Sequence, residues 1–191
     1  MLNSVEDLRD QAIDVAFSGF RTAGSISMRQ IAAELDVTAA ALYHHFANKE
    51  KLVQAVTDRG FVMFEKRFKA IRATDPHSVI RRILGEYRKF ALEEPALFEL
   101  MFVARRESAR RCPADFAAHR SAVFDVLWNA VDAAISRSKN AESDDGSLYL
   151  AHDLWALTHG QILLWRAGHF ENEKAFKRVL GRSIDRFIST L

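Results

Sequence analysis

Residues 27–51 read SMRQIAAELDVTAAALYHHFANKEK, and this stretch decides the fold of the amino-terminal part of the chain. Ser27, with Gln30 three positions on, has the spacing of a capping box, which predicts a helix running through Glu34. Ile31, Ala32 and Leu35 form its expected inward face. Asp36 falls in the turn, where a left-handed backbone is often required and Asp substitutes for glycine. Val37 is expected to fill the angle between two helices. Thr38 is suited to cap the second helix, whose Leu42 and Phe46 lie four apart and point inward together. Two short helices joined this way make a helix-turn-helix.

The outward residues are then Thr38, Ala39, Ala40, Tyr43 and His44. A helix that enters a DNA major groove carries small residues at its tip and polar or aromatic groups at its flanks. The alanines supply the tip. Tyr43, His44, His45 and Lys49 can give hydrogen bonds or charge to phosphates on either side, and Arg29 can add a base or phosphate contact. The plain alternative is a packed corner of a helical protein, but such a corner has no need to expose Tyr-His-His beside a lysine.

Ala16-Phe17, Gly24, Ile31-Ala32, Val37, the run Leu42-Tyr43-His44-His45-Phe46 and Asn48-Lys49-Glu50-Lys51-Leu52 together resemble the DNA-binding domain of TetR-type transcriptional regulators. Asp36 departs from the glycine usual in that family, and Ala39-Ala40 fall where its members vary. The resemblance implies an all-helical homodimer with one reading head per subunit and a carboxy-terminal ligand-binding and dimerisation domain. It also implies repression relieved by a small molecule. The expected domains are residues 1–50 for the helix-turn-helix and 51–191 for ligand binding and dimerisation.

Helical periodicity covers nearly the whole chain, with no convincing period-two strand, so the fold class is all-α. A first helix over residues 4–21 is expected to bury Leu8, Ala12, Val15, Ala16 and Phe20 against the helix pair. Asn48 is placed to cap a long helix reaching about residue 71. Leu52, Val53 and Val56 fit the first core, while Phe61, Phe64, Phe68 and Ile71 recur at helical spacing and are expected in a second. A fifth helix carries Ile80, Ile83, Leu84, Tyr87 and Ala91, and Pro95 ends it and starts a short apolar element over residues 96–102. From Pro113 a seventh helix is expected to present Phe116, Val123, Leu127, Val131 and Ile135, followed by a polar loop over residues 140–146.

Residues 148–165 are apolar on nearly every side, and the final helix, with Phe176, Val179, Leu180, Ile184, Phe187, Ile188 and Leu191, reads as similarly broad. A helix apolar all round needs partners all round, which predicts that these two helices meet their copies in a four-helix bundle. Gly160 would permit a close approach there. Trp155-Ala156-Leu157-Thr158-His159-Gly160 also resembles the Trp, His, Gly signature of one carboxy-terminal subclass of the TetR family.

The effector is expected among the carboxy-terminal aromatics: Phe64, Phe68, Phe90, Phe98, Phe102, Phe124, Trp128 and Trp155, with Tyr87 and His159 orienting it. Phe61 and Met101 lie in the same set. Taken singly, each phenylalanine reads first as ordinary core.

Composition fits without selecting the class. The 49% apolar content excludes a mostly disordered chain, and 3 prolines and 8 glycines leave room for long helices. A net charge of +2 puts any polyanion affinity in a local patch. The lone Cys112 excludes an intrachain disulfide and suits a reducing cytoplasm, and neither a signal peptide nor a membrane span is read. His152 and His159 are seven apart without a nearby carboxylate or thiolate, so no metal is expected. Arg105, Arg106, Arg110 and Arg111 read as a solvated connector, and Glu93-Glu94 and Asp144-Asp145 lack the setting of an acid/base pair. With no nucleophile elbow, phosphate loop or cofactor motif, the chain reads as no enzyme. The expected partners are duplex DNA, a small-molecule effector and a second copy of the chain. A helix-turn-helix protein without an inducer is the nearest rival, and a helical-bundle enzyme the remoter one.

Overall fold

A computed structural model describes residues 5–137 and 144–191. Among these residues the chain is all-helical, without a strand. Its helices are α1 (Val5–Ala23), α2 (Met28–Glu34), α3 (Ala39–His45), α4 (Lys49–Lys69), α5 (Pro76–Glu93), α6 (Pro95–Phe98), α7 (Ala114–Ala117), α8 (Ala122–Arg137), α9 (Asp144–Arg166) and α10 (Glu173–Ile188). No described helix is long and apolar enough to cross a membrane. The chain separates into two compact units, Met1–Phe64 with Leu92–Arg105 and Glu65–Ala91 with Arg106–Leu191. The division by packing falls within α4 and α5.

In the first unit, α1 packs on α2, α3 and α6. Its Ala12, Ile13, Ala16 and Phe20 are buried, whereas Leu8 and Val15 are only half-buried. Gly24 closes α1 with a left-handed backbone at φ 72°, its N–H on the Phe20 carbonyl at 3.0 Å. The long helix α4 adds buried Leu52 and Val56, and its buried Thr57 returns its hydroxyl to the Val53 carbonyl at 2.8 Å.

Leu92–Arg105 belongs to this same unit, which corrects one expectation. Phe61 and Phe64 do not join a second core, because Phe102 comes back to meet them edge-on at 5.4 and 5.6 Å between ring centroids. Phe98 completes the group at 5.3 Å from Phe102, and Leu97, Phe98 and Met101 are fully buried. Gly60 makes the approach fit, since a Cβ there would stand 2.6 Å from Met101 Sδ. After α6 the chain widens into one turn over Glu99–Val103, with the Ala104 N–H on the Glu99 carbonyl at 2.8 Å.

Charge reinforces the same junction. Glu94, 6% exposed, accepts from Arg21 Nε at 2.8 Å and Nη2 at 2.5 Å. That hydrogen-bonded pair raises the Arg21 guanidinium above its ordinary pKa. Arg21 and Arg59 both lie over the Phe17 ring, and Arg59 pairs with Asp14.

In the second unit, Phe68, Ile80, Ile83, Leu84, Tyr87, Phe90 and Ala91 are buried, and α9 packs on both α8 and α10. Two expectations change here. The helix expected from Pro113 is two helices, interrupted where His119 adopts φ 53° and Ser121 Oγ accepts from the Phe124 N–H at 3.4 Å. The loop expected over residues 140–146 lies outside the described residues at 140–143, and from Asp144 onward the chain is helical. In the last helix Phe176, Leu180, Ile184 and Ile188 form one buried stripe, while Val179 is exposed and Phe187 half-buried.

Removing Arg21 leaves the buried Glu94 carboxylate without its bidentate partner. Arg21→Ala is expected to cost roughly 2 kcal/mol. Arg21→Ala with Glu94→Ala should cost less than the sum of the single changes in urea denaturation, and an additive result would show that the two charges are not coupled.

Candidate nucleic-acid interface

The helix pair is fixed by local hydrogen bonds that the sequence announces. Ser27 Oγ accepts from the Gln30 N–H at 3.2 Å, and Gln30 Oε1 accepts from the Ser27 N–H at 2.8 Å. At the other end of α2, Asp36 takes φ 53°, so that its N–H reaches the Ala33 carbonyl at 3.4 Å and the Val37 N–H reaches the Ala32 carbonyl at 2.9 Å. This paired closure satisfies two orphan carbonyls and turns the chain sharply. Thr38 Oγ1 then accepts from the Ala41 N–H at 3.2 Å to start α3, and Asn48 Oδ1 accepts from the Lys51 N–H at 2.9 Å to start α4.

With its ends fixed, α3 has a determined inner face. Leu42 is fully buried and Phe46 is 2% exposed, with the Arg9 guanidinium 5.6 Å from the Phe46 ring. The opposite face carries Tyr43, 52% exposed, with Thr38, Ala40 and His44 also exposed and Ala39 and His45 half-buried. An aromatic residue with half its surface in water contributes little to the core. Arg29 and Lys49 are exposed on the neighbouring helices. All eight residues expected at the interface thus belong to the helix pair or the start of α4, and none of them is buried.

The residues expected around an effector are divided. Phe64, Phe98 and Phe102 belong to the first unit. Phe68, Tyr87, Phe90, Phe124, Trp128, Trp155 and His159 belong to the second. There the Tyr87 hydroxyl lies 2.7 Å from His159 Nδ1 and receives the Trp155 indole N–H. Burial pushes the Tyr87 phenol well above its ordinary pKa, and the Trp155 bond offsets only part of that. Trp128 Nε1 donates to Ser147 Oγ at 2.9 Å, and the Trp128 ring stacks on His119 at 4.7 Å. Phe116 and His152, each within ring contact of Trp155, also belong to this cluster, although the expected effector set leaves them out. The sequence marks His152 only against a metal site, although its three-residue spacing from Trp155 on α9 is a usable signal.

Two family models match the chain. Residues 20–56 match "Bacterial regulatory proteins, tetR family", and residues 80–191 match "Tetracyclin repressor-like, C-terminal domain". The chain belongs to the TetR family of transcriptional regulators. Its members are DNA-binding transcription factors and not enzymes.

Solved structures share the fold. A protein of unknown function from Rhodococcus sp. RHA1 is 22% identical with a TM-score of 0.77, over 100% of this chain and 96% of that one. BioQ, solved with its double-stranded DNA operator, is 22% identical with a TM-score of 0.60, over 98% and 99%. A TetR variant from Acinetobacter baumannii AYE in complex with minocycline is 16% identical with a TM-score of 0.65, over 100% and 96%. No curated protein matches the chain.

Two substitutions probe the turn of this TetR-family helix pair. Asp36→Gly should raise stability by roughly 0.5–1 kcal/mol, because glycine takes the left-handed backbone without strain, and Asp36→Val should lower it by about 1–2 kcal/mol. Thermal denaturation of both variants reads the order, and a more stable valine variant would show that the turn does not need this conformation.

Proposed function

We propose that this regulator binds a pseudo-palindromic operator as a homodimer, acts in the cytoplasm as a repressor, and is released by a small apolar or amphipathic ligand. The observation that carries the reading is the outer face of α3, where Tyr43 and His44 stand exposed beside small residues on a helix whose ends are fixed by caps. Arg29, Thr38, Ala39, Ala40, Tyr43, His44, His45 and Lys49 form the DNA-contacting set. The alanines offer methyl contacts only, so operator choice leans on groove shape and water as well as on base edges. BioQ, similar in fold, was solved on its operator, and the Acinetobacter protein with minocycline.

Pairing is read from α9. Tyr149 and Leu164 are exposed apolar residues at 51% and 46%, and Ala156 and Gly160 lie between them along the helix. A Cβ added at Gly160 would meet nothing within 4 Å in its own subunit. That side of α9 suits a close crossing with its copy, α10 alongside. Pairing places two reading heads about 34–36 Å apart, one turn of duplex. A ligand that favours a different spacing then weakens DNA binding, and DNA weakens ligand binding by the same factor.

A second reading has one observation in its favour: the aromatic residues of the second unit lie ring against ring, as in a finished core. On that reading the protein binds DNA without an inducer. An effector screen against a selected operator separates the two.

Lys49→Ala and Tyr43→Ala are expected to weaken binding to every duplex, and Lys49→Ala to reduce the slope of log K against log salt by about one counterion. Gly160→Leu should leave the subunit folded, since its own interior offers no clash, yet sediment as a monomer and bind the operator at least about tenfold more weakly. A Gly160→Leu protein that remains dimeric and binds normally would place the subunit contact elsewhere.

A further inference from the structure

The whole chain carries a net charge of only +2, so charge must be concentrated locally to act on a partner. Helix α10 concentrates it. Its 16 residues hold five cations against two carboxylates, a net of +3. Lys174, Arg178, Arg182 and Arg186 recur every four residues, and all four are exposed. The buried stripe of Phe176, Leu180, Ile184 and Ile188 has the same spacing, so the cations run along the opposite side of the helix over most of its length.

Among the described residues none of these four side chains is in an ion pair. The two carboxylates of α10 are engaged elsewhere: Glu173 pairs with Lys177, and Asp185 accepts from Arg81 Nε at 2.7 Å. Arg178 has no carboxylate within four positions on either side. Like charges one turn apart repel, and the row contains three such pairs in succession, so it weakens the helix that carries it. Lys174 also lies in the first turn, where the helix dipole disfavours a cation. An anion outside the subunit accounts for a row that its own helix does not need.

The form of the row selects the anion. Four helical residues rise about 6 Å, so the row extends about 18 Å, which spans about five phosphates along one strand of a duplex. Three of the four cations are arginine, whose guanidinium meets a phosphate with two parallel hydrogen bonds. Neither ring of α10 is exposed, since Phe176 is buried and Phe187 half-buried, so the helix offers no platform on which unpaired bases would stack. A lipid surface fits less well, because the apolar stripe that would enter it is already buried. The flank of Ala175, Val179, Ser183 and Phe187 lies beside the row, and pairing through it leaves the cations in solvent.

We propose that the outer face of α10 is a second nucleic-acid contact, a sequence-independent grip on the phosphate backbone of duplex DNA. It acts apart from the reading head, which belongs to the other unit, so each surface can be disabled alone. The row reads no bases. It holds the protein on duplex of any sequence.

The test uses the full-length protein and a random-sequence DNA duplex, with anisotropy titrations over a salt series. With the head disabled by Tyr43→Ala and Lys49→Ala, the protein should still bind this duplex. Adding Arg178→Gln and Arg182→Gln should weaken that binding about tenfold and lower the slope of log K against log salt by about two for each subunit in contact. Arg178→Lys with Arg182→Lys keeps the charge and should keep the slope, which separates phosphate contact from a change in helix packing. With the head intact, the operator selected from random duplexes should be the same with and without the two Arg→Gln changes. The proposal is overturned if the head-disabled protein ignores the duplex at low salt, or binds it with a slope that the Arg→Gln changes leave alone. It is equally overturned if phosphatidylglycerol vesicles are bound and duplex is not, or if the Arg→Gln variant sediments as a monomer, which would set the row against a second copy. If the row holds duplex while no operator can be selected, the row stands and the reading head fails.

Discussion

A buried carboxylate constrains how the amino-terminal unit is assembled. Glu94 is taken almost wholly out of water, which is costly for a charged group unless a cation and hydrogen bonds accompany it. Arg21 supplies both with a two-point contact across 73 positions of sequence. Around that contact Gly60 lets Met101 approach and Phe102 reaches Phe61 and Phe64, so a stretch from the middle of the chain becomes part of the body that carries the helix pair. The helix pair is therefore braced by residues far from it in sequence as well as by α1 and α4.

What the sequence made legible was set by interactions three or four residues apart. Ser27 with Gln30, Thr38 with Ala41, Asn48 with Lys51 and the left-handed Asp36 are each encoded within one turn, and each stands where its residue type demands. The outer face of α3 follows, because once Leu42 and Phe46 are buried, Tyr43 and His44 must look outward. Long-range choices were not legible. Phe61 and Phe64 have the same periodicity whichever core they join, and only the return of Phe102 decides between them. Glu94 looked like half of an ordinary acidic pair, since nothing nearby in sequence marks Arg21 as its partner. The break between α7 and α8 rests on the backbone of His119, a residue that carries no strong signal for a turn.

The second unit shows how one helix can serve two kinds of contact. Trp155 and His159 are one turn apart on α9, and both reach the Tyr87 hydroxyl on α5, which ties the two helices with a buried polar pair. The indole face of Trp155 remains for Phe116 and Phe124. The side of α9 that carries Ala156 and Gly160 is left open in the single subunit. The apolar residues of α9 thus lie on several sides, while those buried on α10 form a single stripe.

All three tryptophans of the chain, Trp128, Trp155 and Trp165, fall in the second unit, while the helix pair carries only Tyr43 as an intrinsic chromophore. Ultraviolet emission excited at the red edge consequently reports one half of the molecule and is blind to the other. The protein arrives already labelled, so that red-edge emission follows events around the aromatic cluster without attaching a dye.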